Sequence, residues 1–238
     1  MKRLVQPEIL DSLPQDHPDA KANRRDLRLI NRVMGNYSWF RDRLPPLLTP
    51  EDRILEIGSG TGDLGLYLDG IRKGRGAIQG PAKTVSPTAT FSAHYCGLDL
   101  WSRPANWPRE WKWVQDDLLN FDRYQNFTVL IANLILHQFD DDALRSLGEK
   151  LSSSGIRLIL ASEPARHKIH QWQLKLLWPL GLNAVSRHDG HVSVAGGFRQ
   201  NELPDLLGLT DPAWQVETKN GVRGASRMIA IRQGGDSA

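Results

Sequence analysis

Ile54-Leu55-Glu56-Ile57-Gly58-Ser59-Gly60-Thr61-Gly62 is a short strand running into a loop with glycine at every second position, and residues 63–71 beyond it have helical spacing. A glycine-rich loop between strand and helix lets a ligand approach the backbone where a side chain would collide, and the helix start offers N–H groups to an anion. Several cofactors use such a loop. A nicotinamide fingerprint needs Gly-x-Gly-x-x-Gly entered directly from the strand; counted from Gly58 the sixth position is Asp63, and counted from Gly60 the spacing is met but Gly58-Ser59 intervenes. No Gly-Lys-Ser/Thr follows, which excludes a P-loop.

Outward from this loop, short β-like runs alternate with helical ones, predicting βαβ units on a largely parallel sheet. Strands are expected at 94–98, 111–115, 127–132 and 156–161, the fourth buried by its near-continuous apolar character. Asp140-Asp141-Asp142 opens a helix to about residue 151; three acids there are an N-cap and charges that favour the helix dipole, not metal ligands. A helix over 169–178 stops at Pro179, an irregular stretch runs to about 199, and 201–207 forms a short helix. Runs at 214–218 and 227–232 flank Asn220-Gly221 and predict an antiparallel hairpin.

Residues 1–20, rich in Pro, Asp and Gln, read as an extended or loosely ordered lead-in. Leu27, Ile30, Met34, Tyr37, Phe40 and Leu44 then mark one face of an N-terminal helix, ended by Pro45-Pro46. Its polar side carries Arg24, Arg28 and Arg32, read as a solvated face, with an anionic substrate, a membrane surface or RNA as the functional alternatives. Residues 1–47 are thus expected to be a lead-in and cap helix and 48–238 the main domain, with a flexible insertion over 73–92 and a substrate cap over 164–208.

The chain has 238 residues, a net charge of +3 and one cysteine, Cys96. One domain is expected, with no disulfide framework, no cysteine zinc site, no secretory signal, no transmembrane segment and a cytoplasmic location.

Glu56-Ile57-Gly58-Ser59-Gly60-Thr61-Gly62 resembles the first motif of class I S-adenosylmethionine-dependent methyltransferases, an acidic residue, any residue, then Gly-x-Gly-x-Gly. The later landmarks follow in that family's order over about residues 52–165. The resemblance implies a Rossmann-like three-layer sandwich with a mostly parallel seven-stranded sheet, and S-adenosylmethionine as cofactor. It also implies that Glu56, Gly58, Ser59, Gly60, Thr61 and Gly62 hold the methionine part. Asp99, in Gly97-Leu98-Asp99-Leu100, is placed to accept both ribose hydroxyls, and Asp117, with Asp116 as alternative, to contact the adenine amino group. Asn133-Leu134-Ile135-Leu136-His137-Gln138-Phe139 resembles the strand exit of small-molecule enzymes, including the ubiquinone and menaquinone C-methyltransferases, and Asn133 joins the cofactor set.

His137 is the candidate general base, against a packed histidine; His188, Asp189 and Glu163 are substrate-side candidates, against turn and strand-exit residues. No metal is called for. The expected activity is methylation of a small apolar or aromatic acceptor at oxygen or carbon. Two other functions stay open: a nucleic-acid methyltransferase, which the lack of Asn/Asp-Pro-Pro-Tyr after the fourth strand argues against in part, and a ligand-binding protein without turnover.

Overall fold

A computed structural model describes residues 2–72, 94–176, 178, 181–210 and 212–234. The chain enters through a 3-10 turn, Leu10–Ser12, then α1, Pro18–Met34, and α2, Asn36–Arg43. Five parallel strands follow: β1 Ile54–Ile57, β2 Tyr95–Asp99, β3 Lys112–Gln115, β4 Val129–Asn133 and β5 Leu158–Pro164. Between them lie α3, Asp63–Arg72, and α4, Asp141–Ser152. After β5 come α5 Lys168–Leu176, α6 Ala184–Gly196, α7 Glu202–Leu206, and the hairpin strands β6 Trp214–Asn220 and β7 Ala225–Arg232.

The sheet order is β3-β2-β1-β4-β5-β7-β6, with β7 antiparallel to both β5 and β6. Strand residues alternate between two cores, as the period of two requires. Leu55, Ile57, Leu130 and Ala132 pack with Leu144, Leu147 and Leu151 of α4 and Leu203 of α7 on one face. Ile54, Val129 and Ile131 pack with Phe40 of α2 and Leu64 and Leu68 of α3 on the other. This is the expected three-layer sandwich. Each wholly buried leucine of α4 contributes about 2 kcal/mol relative to exposure.

The order of β1 and β4 at the centre of the parallel strands places the glycine loop at the carboxyl edge, where the strand order reverses and open α/β sheets bind ligands. Asp140 caps α4 by accepting from Ala143 N (2.8 Å), as its position after β4 suggested.

Three expectations change. The N-terminal segment is tied down, with Glu8 and Leu10 buried and Leu4 N donating to Ala195 O (3.1 Å). The apolar face from Leu27 to Leu44 belongs to two helices, broken at Gly35 in the left-handed region (φ 72°), where Arg227 donates to the freed carbonyls of Met34 and Gly35. The stretch before residue 199 is not irregular: it contains α6, capped by Asn183, whose side chain accepts from Ser186 N (2.7 Å). Its inward face carries Ser186 and Asp189 among valines, so apolar periodicity does not reveal it. The insertion expected over 73–92 lies outside the described residues.

Candidate active site

The loop after β1 is fastened to its neighbour strand: Gly58 N (2.9 Å) and Ser59 N (3.3 Å) both donate to Leu98 O. Ser59 Oγ donates back to Glu56 O (2.7 Å) and Gly62 N to Ser59 O (2.7 Å), closing the turn into α3. The glycines do different work. A side chain on Gly62 would strike the Trp107 ring at 2.6 Å, so that position is closed by packing. Gly60 holds a positive φ (55°) with no atom within 4 Å of where its side chain would begin, and it lines a cavity of about 930 Å3.

Carboxylates surround this opening. Asp99 ends β2 with Oδ2 accepting from Gly60 N (2.7 Å) and Oδ1 from Trp101 N (2.9 Å). Burial raises its pKa above the ordinary value, and those two N–H groups oppose the rise. Glu56 is buried; burial pushes its pKa up to about 8 although Tyr95 donates a hydroxyl to Oε2 (2.7 Å). A cation arriving beside it would restore the ionised form. Asp116 and Asp117 follow β3 and also line the cavity. Asp117 Oδ1 accepts from Leu119 N (2.8 Å) and Asp116 Oδ1 from Asp117 N (2.9 Å), so each also stabilises the local turn.

α1 borders this opening, and its arginine row is only in part a solvated face: Arg28 and Arg32 are exposed and Arg24 is half-buried. Arg24 stacks on Trp101, 3.8 Å from the ring centroid, while Arg28 pairs with Asp63 (3.5 Å) at the start of α3. Arg32 lines the cavity. Arg24 Nε and Nη2 are buried without a hydrogen-bond partner, as are Asn23 Oδ1 and Asn133 Oδ1. Unpaired buried polar atoms are costly, and all three residues line the cavity, so a ligand with both donors and acceptors fits there.

The orientation of Asn133 follows from a chain of contacts. Leu27 O can only accept, so Asn31 must turn Nδ2 toward it (3.0 Å) and present Oδ1 to Asn36 Nδ2 (2.9 Å) and Asn133 Nδ2 (3.0 Å). Ser162 Oγ closes the chain by donating to Asn36 Oδ1 (3.0 Å). Asn133 Oδ1 is therefore the atom left over. Leu134, the next residue, has a positive φ (58°), a strained conformation at the edge of the site.

His137 does not suit the base role. Its Nδ1 meets Glu163 Oε2 at 2.7 Å and its Nε2 meets Glu8 Oε1 at 3.2 Å, all three groups buried. Burial alone pushes the imidazole down, but the two carboxylates outweigh it and raise its pKa to about 9. Both ring nitrogens are engaged by carboxylates. Glu163 lies inside β5, not after it, and gathers Ile135 N (3.1 Å), Leu136 N (3.0 Å) and His137 N (3.3 Å) at the exit of β4. Asp189 accepts from Ile9 N (2.8 Å) and Leu10 N (3.1 Å), and so pins the N-terminal segment to α6. His188, beside it, has a half-exposed side chain (51%).

The pairing makes stability depend on pH. The folded pKa of His137 lies above its ordinary 6.5, so its contribution is complete below about pH 6.5 and is lost as pH rises through about 9. That separation is worth on the order of 3 kcal/mol. Glu8 is held below its ordinary value, burial being outweighed by His137, Ser193 and Gln138, so it contributes above about pH 4.5 and loses that contribution in acid. Urea unfolding should therefore show stability falling between pH 6.5 and 9, and His137→Gln should flatten that limb. An equal slope in the variant would show that another group titrates there.

Sequence reasoning missed Glu8, Asn23, Asn31 and Trp101. Glu8 stands in an aperiodic segment, and its partner His137 is 129 positions away. Asn31 interrupts the apolar face of α1, and a buried polar residue amid such a face was the available signal.

The sequence matches no protein-family model, and no curated protein matches it. Solved structures do match. The plantazolicin methyltransferase BpumL in complex with SAH superposes with a TM-score of 0.61 at 13% identity, over 94% of this chain and 92% of that one. The plantazolicin methyltransferase BamL, with a triazolic desmethylPZN analog and SAH, gives 0.63 at 8% identity over 94% and 92%. Magnesium protoporphyrin IX methyltransferase (ChlM) from Synechocystis PCC 6803, with bound SAH, gives 0.51 at 14% identity over 94% and 91%. With its mixed seven-stranded sheet and its loop at the carboxyl edge, the chain has the fold of the class I S-adenosylmethionine-dependent methyltransferases.

Proposed function

We propose that the chain is an S-adenosylmethionine-dependent methyltransferase acting at oxygen or carbon of a small, apolar or aromatic acceptor in the cytoplasm. The observation that carries this reading is Gly60, open to the cavity and bonded through its N–H to Asp99, with the enclosed carboxyl of Glu56 on the same wall. The solved structures of the same fold that hold SAH support it.

The residues present fit the cofactor. Asp99 is placed to accept ribose hydroxyls, Asp116 or Asp117 the adenine amino group, and Gly60 leaves room for the chain between. Glu56 and the free oxygen of Asn133 suit its ammonium end, since one regains its charge beside a cation and the other lacks a donor. When bound, S-adenosylmethionine supplies a methyl carbon on a sulfonium that a nucleophile displaces in line. The protein's part is to orient the nucleophile and exclude water, because His137 is already protonated and shared between two carboxylates. Leu27, Ile30, Met34, Leu134, Ile135 and Phe139 give the remaining wall its apolar character, which favours an apolar or aromatic acceptor. The cap over this acceptor space is formed by α1 together with α5 and α6.

Calorimetric titration of the folded protein with S-adenosylmethionine and S-adenosylhomocysteine tests the reading. Both should bind at one site. Asp99→Ala should weaken each by about 10- to 100-fold, the worth of a hydrogen bond to a charged acceptor. No binding, or a preference for a dinucleotide, would overturn the assignment.

A further inference from the structure

The cavity reaches solvent beside the end of α1 and the turn joining β6 to β7, where exposed Arg32, Val33 and Arg223 line it, with the start of α5 alongside. Gln173 Nε2 donates to Val222 O (3.1 Å) and Ala165 N to Gly224 O (2.8 Å), which binds α5 to the turn. On the other side, the point where a Gly35 side chain would begin is 3.8 Å from Arg223 Nη1. Val33, His170, Gln173 and Arg223 line the cavity from these three elements.

This rim exposes large apolar groups. Val222 is 84% exposed, Trp172 70%, Ile169 54% and Val33 38%. Single exposed apolar residues are ordinary, but four around one cavity mouth form a patch of the kind that meets a partner.

The charge is as uneven as the hydrophobicity. The chain carries 27 acidic residues against 30 Lys and Arg, yet none stands at 27–41, 164–173 or 218–234, which hold the residues of this rim. Arg32, Lys168, Lys219 and Arg223 are all exposed within them. The modest net charge of +3 conceals three stretches that carry cations and no carboxylate. Exposed tryptophan and aliphatic side chains among cations suit an interface between anionic headgroups and acyl chains. A nucleic acid would use the cations but offers nothing to Val222 and Ile169.

We propose that the face around the cavity mouth docks on an anionic lipid bilayer, with Trp172, Ile169 and Val222 at headgroup level and the cations on the lipid phosphates. The cavity then opens toward the bilayer, so that a lipophilic acceptor enters without crossing water; this consequence rests on the methyltransferase reading, whereas the docking does not.

Co-sedimentation of the whole chain with lipid vesicles, without cofactor, tests the docking. Vesicles of phosphatidylcholine and phosphatidylglycerol should retain the protein, vesicles of phosphatidylcholine alone should retain it weakly, and added salt should release it. Val222→Asp and Trp172→Ala, each with an unchanged thermal melt, should lower partitioning onto the anionic vesicles by about fivefold or more. Equal binding to both vesicle types, no binding to either, or binding untouched by both substitutions would overturn the proposal. So would single-stranded RNA that binds with the same salt dependence and displaces the protein from vesicles regardless of Val222→Asp. Cofactor titration is read separately, so failure of the docking and failure of the enzymatic reading are distinguishable.

Discussion

Gly60→Arg is expected to abolish binding of S-adenosylmethionine and S-adenosylhomocysteine in a protein that still folds. Two physical effects separate cleanly here. The backbone at Gly60 is left-handed (φ 55°), which costs a residue with a side chain roughly 1–2 kcal/mol. That cost is small against a typical stability of about 5–15 kcal/mol, and no neighbour lies within 4 Å to add a collision. The long cationic side chain instead enters the cavity floor beside Asp99, the space the cofactor would need. Affinity should fall by at least about a hundredfold, a loss near 2.7 kcal/mol. Gly60→Ala, which adds the backbone strain and little volume, should lose far less. Gly62→Ala should behave oppositely, since its new carbon strikes the Trp107 ring at 2.6 Å and the damage falls on folding. Circular dichroism melts and calorimetry on the three variants separate these outcomes. A folded Gly60→Arg protein with unchanged affinity would show that the cofactor does not lie over this loop.

Glu163→Ala should be the most destabilising single change at the site, by about 3–5 kcal/mol, the usual penalty for removing one partner of a buried ion pair. The carboxylate is fully buried and serves four donors: three consecutive N–H groups from Ile135 to His137, and the imidazolium Nδ1 of His137 at 2.7 Å. Truncation strands those donors and leaves Glu8 as the imidazolium's remaining carboxylate. Glu163→Gln should be milder, because its amide oxygen can still accept while its NH2 group cannot. Urea unfolding at neutral pH measures both. An alanine variant within about 1 kcal/mol of the parent would show that the β4 exit does not depend on this carboxylate. The expected loss is in stability because Glu163 clamps the β4 exit and is not among the residues that line the cavity.

The parallel strands β1, β2, β4 and β5 were legible because they are buried on both faces. A run such as Phe127-Thr128-Val129-Leu130-Ile131-Ala132 is nearly uniform in apolar character, and turn residues bound each run. The glycine loop was legible too, since its spacing against β1 distinguishes between cofactors before any coordinate is known. α6 was not, because Ser186 and Asp189 occupy its buried face and satisfy partners on α1 and the N-terminal segment. A buried polar residue bonded to a distant partner looks, in sequence, like a surface residue.

The same reason divides the site. The positions of Gly60 and Asp99 at the carboxyl edge follow from local pattern: a strand, a turn, and the next strand in register, with Leu98 O closing the loop. The roles of His137, Glu163, Asp189 and Arg24 do not. Each is set by burial and by partners far along the chain: His137 by Glu8 at 129 positions, Asp189 by Ile9 at 180, and Arg24 by the ring of Trp101 after β2. Local spacing specifies which backbone bends where, and so it placed the glycine loop. Protonation and contact depend on what surrounds a side chain in three dimensions, and packing held a candidate base between two carboxylates and drew Arg24, alone of a row read as solvated, onto the Trp101 ring.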